Sequence, residues 1–131
     1  MPELDWISIV VAAVAAFLVS TVYYIVFAAR MVDLRGGDAG ADGGMQPWKV
    51  GVQAIRDLVL ATVVAALVAL IGVTDVAGAL ALAAALWIGF PVVLLVGSVI
   101  WENVSPALAA IHAGDWLVKL LIVTMVVTLW P

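Results

Sequence analysis

The last apolar stretch of the chain, Pro106 to Trp130, contains three side chains capable of proton or ion chemistry: His112, Asp115 and Lys119. On a helix these side chains fall within about 60° of one another, and Asp115 precedes Lys119 by four positions, the favoured order for an ion pair. One interpretation is a proton- or ion-handling relay that includes His112. The other, which we favour, is a neutralised pair that fixes helix register and packing.

Polar residues of two other segments can reach the same depth. Arg56 and Asp57 lie roughly two to three turns into a helix that starts near Pro47, and Glu102 follows the third apolar segment. The sequence therefore predicts one intramembrane polar network, made of Arg56, Asp57, Glu102, His112, Asp115 and Lys119. Within it we expect Arg56 to pair with Glu102 or with Asp115.

The amino-acid composition indicates which class of protein contains this network. The 131 residues are 67% hydrophobic and 11% charged, whereas a soluble domain is nearer half apolar and a quarter charged. We therefore expect an all-α polytopic membrane protein, a single membrane domain over residues 1–131.

The sequence argues against several kinds of functional site. The chain has no cysteine, which excludes disulfides, thiolate metal sites and thiol nucleophiles, and its net charge of −4 provides no basic patch for nucleic acid. The Gly/Asp-rich segment 36–44 offers Asp38 and Asp42 to calcium, but without EF-hand spacing, so we interpret it as a solvated linker. No catalytic motif is present, and we expect no metal, no cofactor and no enzyme activity.

Four transmembrane helices in a compact bundle are predicted, at about 6–29, 48–73, 76–100 and 106–130. Pro47 and the pair Ser105–Pro106 are typical helix starts, and Gly89 with Pro91 predicts a kink in the third span. The fourth span has an alternative start at Trp116, after a break at Gly114. We favour the longer helix, because it measures about 37 Å rather than about 22 Å and the membrane core is about 30 Å thick.

The positions of the basic residues predict the orientation. Four of the five lie in or beside the first loop, at about 30–46: Arg30, Arg35, Lys49 and Arg56. The positive-inside rule places this loop in the cytoplasm and both termini outside. The acidic start at Glu3 and Asp5 is unlike a cleavable signal peptide, so the first span is retained.

Tryptophans agree with these span ends. Four lie where interfacial anchors are expected, namely Trp6, Trp48, Trp101 and Trp130. Trp87 and Trp116 fall inside spans, and we expect them to face other helices or to mark the kink and the polar region.

Small residues recur every four positions in two spans: Ala61, Ala65 and Ala69 in the second, and Ala77, Ala81, Ala85 and Gly89 in the third. Such rows allow helix backbones to approach closely. They can pack within the monomer, which we favour, or form a homo-oligomer interface.

Two stretches carry a family resemblance. From Leu86 to the end the chain reads LWIGFPVVLLVGSVIWENVSPALAAIHAGDWLVKLLIVTMVVTLWP, and Phe17 to Leu34 reads FLVSTVYYIVFAARMVDL. They resemble the C-terminal half and the first helix of domain of unknown function 1761, a bacterial family of small four-helix membrane proteins. Tyr23–Tyr24 stands where that family commonly has Trp-Tyr, whereas the Gly/Asp-rich loop departs from it. The resemblance implies four spans and no assigned activity, and it supplies no catalytic residues.

We expect a non-enzymatic structural or accessory component of the cell inner (plasma) membrane, with the lipid bilayer as its main partner. The alternative is an oligomeric transporter or channel that uses the polar network. Small multidrug transporters are similar in size, but they rely on a glutamate in span one, and none lies between Trp6 and Ala29. An enzyme acting on lipid would need a nucleophile or metal cluster that the sequence does not show.

Overall fold

A computed structural model describes residues 4–34 and 46–131, and the regular structure within these ranges is entirely helical. It comprises α1 (Trp6–Leu34), α2 (Pro47–Ile71), α3 (Val76–Trp87), a π-helical turn (Ile88–Val92), α4 (Val93–Trp101) and α5 (Pro106–Leu129). With α3, the π-turn and α4 counted as one arm, four helices of 29, 25, 26 and 24 residues are long and apolar enough to cross a membrane. The predicted all-α membrane fold is confirmed. Arg35 and the segment with Asp38 and Asp42 lie outside the described residues.

The last helix is continuous. The Ser105 hydroxyl accepts a hydrogen bond from the Leu108 N–H at 3.4 Å, and Pro106 occupies the first turn, where its missing N–H costs nothing. From there α5 passes through Gly114 without a break and ends at Leu129. This matches the longer of the two predicted alternatives.

Local signals also shape the middle of the chain. Gly72 ends α2 with φ 83°, a left-handed conformation that favours glycine. Asp75 then caps α3, because its Oδ1 accepts a hydrogen bond from the Gly78 N–H at 2.8 Å. Where a kink was predicted at Gly89 and Pro91, the helix forms the π-helical turn, which accommodates a proline that lacks an N–H.

α5 is the central helix of the structure. It packs against α1, α2 and α3, and α1 also packs against α2. In contrast, α2 and α3 make almost no close contact with each other. A cleft therefore separates α2 from the α3–α4 arm, and α5 forms its floor.

The apolar core is built largely from small side chains, which allow the backbones to approach closely. Its fully or nearly enclosed members include Ile9, Ala12, Ala16, Ala61, Val64, Ala83, Leu120 and Val123. In the row of the second span Ala61 and Ala65 are buried within the monomer, whereas Ala69 is exposed. The row Ala77, Ala81, Ala85 and Gly89 is exposed, so our preferred interpretation of it as packing within the monomer is wrong.

Candidate functional site

Three buried charged residues meet between α2 and α5. Lys119 Nζ lies 3.5 Å from Asp57 Oδ1 and 3.4 Å from Asp115 Oδ2. Lys119, Asp57 and Asp115 are 4%, 2% and 2% exposed, respectively. We call this group the Asp57–Lys119–Asp115 triad.

The triad follows from helix geometry and from the cost of burying charge. Asp115 and Lys119 are one turn apart on α5, so their side chains share a face, and Asp57 approaches from α2. A buried charge is costly unless it is paired. Each of the three side chains therefore requires the others in this position, and the triad ties α2 to α5.

A third helix joins through a hydroxyl group. Ser20 on α1 is buried, and its Oγ donates a hydrogen bond to Asp115 Oδ1 at 2.7 Å. Ser20 was not among the predicted network residues. The sequence signal was the cluster of hydroxyl side chains in the first span, Ser20, Thr21, Tyr23 and Tyr24, of which Ser20 bonds Asp115.

A glutamine links Arg56 to the triad. Arg56 Nη1 donates to Gln53 Oε1 at 3.0 Å, and Gln53 Nε2 donates to Asp57 Oδ1 at 3.1 Å. Gln53 was also absent from the predicted network, although it precedes Asp57 by one turn on the same face. A polar chain thus leads from the exposed Arg56 into the protein interior.

The expected pairing of Arg56 with Glu102 or Asp115 is not formed among the described residues. Consecutive helical residues point about 100° apart, so Arg56 is turned outwards when Asp57 faces α5. Glu102 is exposed at the end of α4, where its N–H bonds the Ser98 carbonyl at 3.0 Å. The structure therefore brings Asp57, Asp115 and Lys119 together, attaches Arg56 through Gln53, and leaves Glu102 apart.

His112 lies beside the triad and is connected through a tyrosine. The Tyr24 hydroxyl is 2.7 Å from His112 Nδ1. Tyr24 also lies one helical turn after Ser20, whose hydroxyl bonds Asp115. His112 thus belongs to the polar region, one side chain removed from the buried ion pairs.

Two aromatic side chains bind the backbone of α5 in this region. The Tyr23 hydroxyl donates to the Ile111 carbonyl at 2.5 Å, and Trp87 Nε1 donates to the Ala113 carbonyl at 2.8 Å. A Cβ placed on Gly114 would collide with the Tyr23 hydroxyl. Gly114, which the sequence suggested only as a possible helix break, instead permits α1 to approach α5 closely.

A family model described as protein of unknown function (DUF1761) matches residues 7–128. The chain belongs to this family. The match covers nearly the whole chain and confirms the resemblance seen in the sequence. Comparisons of this DUF1761 protein with curated proteins and with solved structures gave no match.

The polar region of this DUF1761 protein alternates in charge. Arg56, Asp57, Lys119 and Asp115 follow one another as plus, minus, plus and minus; Lys119 contacts both carboxylates, whereas Arg56 reaches Asp57 only through Gln53. Trp116 adds an aromatic face, with its ring centre 5.2 Å from Lys119 Nζ. Such an arrangement can fix the positions of three helices, and its hydroxyl, imidazole and carboxylate groups can exchange protons.

Proposed function

We propose that the protein is a non-enzymatic structural or accessory component of the plasma membrane. The observation that carries this proposal is the enclosure of Lys119 between Asp57 and Asp115. All three side chains are almost completely buried, so none can contact a substrate from the surface. Their role is to hold α2 and α5 in a single register, with Ser20 extending the contact to α1.

The physical basis is the contrast between lipid and protein surroundings. An isolated charge in the membrane is expensive, so any register that separates Lys119 from the two carboxylates is disfavoured. Apolar contacts distinguish poorly between registers, because lipid chains are as apolar as leucine. The triad therefore supplies the specificity that the apolar faces lack.

We further propose that the segment at about 30–46 and the connection at 102–105 face the cytoplasm, with both termini outside. The basic residues beside the first loop support this orientation. Because the chain has no native cysteine, Thr74→Cys and Asn103→Cys can each be labelled separately in intact cells. An impermeant thiol reagent should label Thr74→Cys from outside and Asn103→Cys only after permeabilisation, and the reverse pattern would contradict the orientation.

Self-association through α3 is part of the proposal. The exposed row Ala77, Ala81, Ala85 and Gly89 presents a flat face with the spacing that favours close helix packing. Ala81→Leu should weaken association measured by single-molecule counting in bilayers. Leu80→Ala, at a neighbouring exposed position outside the row, serves as the comparison and should leave association unchanged.

One observation favours transport as a second candidate function. Asp57 Oδ2 is buried and has no hydrogen-bond partner among the described residues. Buried polar atoms are normally satisfied, and a carboxylate oxygen in this state can accept a proton. With Tyr24 and His112 nearby, the site has groups that can pass a proton onward.

Flux measurements separate the two functions. Proteoliposomes with an imposed pH gradient should show no more proton flux than empty vesicles if the triad is structural. Flux that disappears in His112→Ala, with the thermal stability of that variant unchanged, would instead establish transport and overturn the structural proposal.

A further inference from the structure

The cleft between α2 and the α3–α4 arm has a volume of about 580 Å³. Its walls include Leu60, Val63, Phe90 and Leu94, and Leu120 lies on its floor. Val63, Phe90 and Leu94 are each more than half exposed, so the cleft opens on the side of the helix bundle that faces away from its core. Among the described residues that line it, Arg56 alone is charged.

Arg56 is short of negative partners within the described protein. Its guanidinium has five N–H donors, and the structure pairs it with the neutral amide of Gln53. The nearest carboxylate on its own helix, Asp57, is already bound to Lys119. A charged side chain in a membrane-spanning helix needs a counter-charge, and at this position the counter-charge can come from outside the chain.

The depth of Arg56 suits a lipid headgroup. The apolar part of α2 that follows the charged pair, Leu58 to Ile71, is about 21 Å long, shorter than the membrane core of about 30 Å. With Gly72 near one membrane surface, Arg56 lies within about 10 Å of the other. The flexible stem of arginine extends towards the headgroups across such a distance.

We propose that the cleft binds one anionic phospholipid, with an acyl chain along its apolar walls and the headgroup phosphate on Arg56. The paired N–H groups of arginine match phosphate oxygens in geometry and charge. A headgroup that also carries a cation is bound less well, because Arg56 repels it. Arg56 reaches the triad only through Gln53, and the proposed phospholipid contacts none of the three triad residues, so its binding is tested independently of the structural role proposed above.

Native mass spectrometry of the full chain tests the proposal. After delipidation, the protein is mixed with phosphatidylglycerol or with phosphatidylcholine of the same acyl chains. We expect one retained phosphatidylglycerol, held about tenfold more tightly than phosphatidylcholine, because Arg56 repels the choline cation and one charge–charge interaction near a protein surface contributes on that scale. Arg56→Gln should reduce phosphatidylglycerol retention by a similar factor.

Arg30→Gln is the matched control, because Arg30 is also an exposed arginine but lies on α1 outside the cleft. It should retain phosphatidylglycerol as the unmodified chain does. Arg56→Lys, which keeps the charge, should retain a preference for phosphatidylglycerol. This result would show that the loss in Arg56→Gln comes from the missing charge and not from a disturbance of folding by any substitution at this position. Glycerol phosphate, which has no acyl chain, should not be retained.

Two results would overturn the proposal. Equal retention of both phospholipids, or unchanged phosphatidylglycerol retention by folded Arg56→Gln, would remove the charge argument. Disulfide formation between copies of Leu94→Cys, with loss of bound phospholipid, would show that a second copy of the chain occupies the cleft.

Discussion

The two halves of the helix assembly are stabilised in different ways. In the half that contains the end of α1 and the starts of α2 and α5, the helices are joined by the triad and by hydrogen bonds from Ser20, Tyr23 and Trp87. In the other half the contacts are between small and branched apolar side chains, among them Ile9, Ala12, Ala61 and Val123. We call these the polar half and the apolar half.

The difference shows what each kind of contact provides inside a membrane. An apolar side chain gains little by leaving lipid for protein, so the apolar half is stabilised by close packing alone. Lipid chains offer no hydrogen bonds or counter-charges, so the polar half has no alternative partners outside the protein. The polar half should therefore determine register, and the apolar half should determine how closely the helices approach.

The largest effect is expected from Lys119→Met. This change leaves Asp57 and Asp115 buried without their shared cation, and removing one member of a buried ion pair costs about 3–5 kcal/mol. Unfolding in mixed micelles should show the loss directly. Arg30→Met, at an exposed position of α1, should have a much smaller effect.

A second variant separates charge imbalance from loss of packing. Asp57→Asn/Asp115→Asn/Lys119→Met removes all three charges together, and should recover most of the stability lost in Lys119→Met. If the triple variant is as unstable as Lys119→Met, uncompensated charge is not the cause of the loss.

Gly114→Ala tests the close contact between α1 and α5. The added methyl group would collide with the Tyr23 hydroxyl, and overpacking of this kind costs about 1–3 kcal/mol. Tyr23→Phe removes the oxygen, after which the nearest Tyr23 atom, Cζ, lies at 3.4 Å, an ordinary contact. We expect the double variant to be more stable than Gly114→Ala alone, as measured by thermal unfolding.

Gly97→Ala is the control for this test, since nothing lies within 4 Å of the position that its Cβ would take. It should be neutral or slightly stabilising, because alanine is the better helix former. Equal destabilisation by the two glycine substitutions would refute the role assigned to Gly114.

Ala83→Leu and Ala81→Leu form a matched pair in α3. Ala83 is completely buried in the apolar half, whereas Ala81 is exposed two residues away. We expect Ala83→Leu to cost about 1–3 kcal/mol through overpacking and Ala81→Leu to remain within about 0.5 kcal/mol. Measurements on the monomer in detergent would compare them, and equal costs would mean that α3 is rotated relative to this structure.

The smallest effect is expected from Ile9→Val in the apolar half. Ile9 is completely buried, and the same change in soluble proteins costs about 0.5–1.5 kcal/mol. Here we expect about 0.5 kcal/mol, because only packing is lost and the transfer contribution is nearly absent. A cost well above the range for soluble proteins, measured by micelle unfolding, would show that the two halves are not distinguished as described.

The sequence predicted much of the fold because its signals are local. Hydropathy identifies the four spans, Pro47 and Gly72 mark helix ends through their backbone preferences, and Ser105 does so through its hydroxyl group. The spacing of Asp115 and Lys119 likewise predicts their pairing within one helix. Each of these inferences needs only neighbouring residues.

Which residues of different helices contact each other could not be predicted from neighbouring residues alone. Whether Asp57 or Arg56 faces α5 depends on how α2 is rotated, and periodicity is weak in a helix that is apolar on nearly every side. For the same reason the α3 row was expected to be buried and is exposed. Gln53 and Ser20 become relevant only once Asp57 and Asp115 have been placed.

The triad also has a consequence for biosynthesis. Asp57 belongs to the second span, but the lysine that neutralises it is in the last. The chain is made from its N-terminus, so the ribosome delivers Asp57 to the membrane well before Lys119 exists. A truncated product that stops after α4 keeps that carboxylate without its lysine, which would allow membrane quality control to distinguish unfinished chains from complete ones.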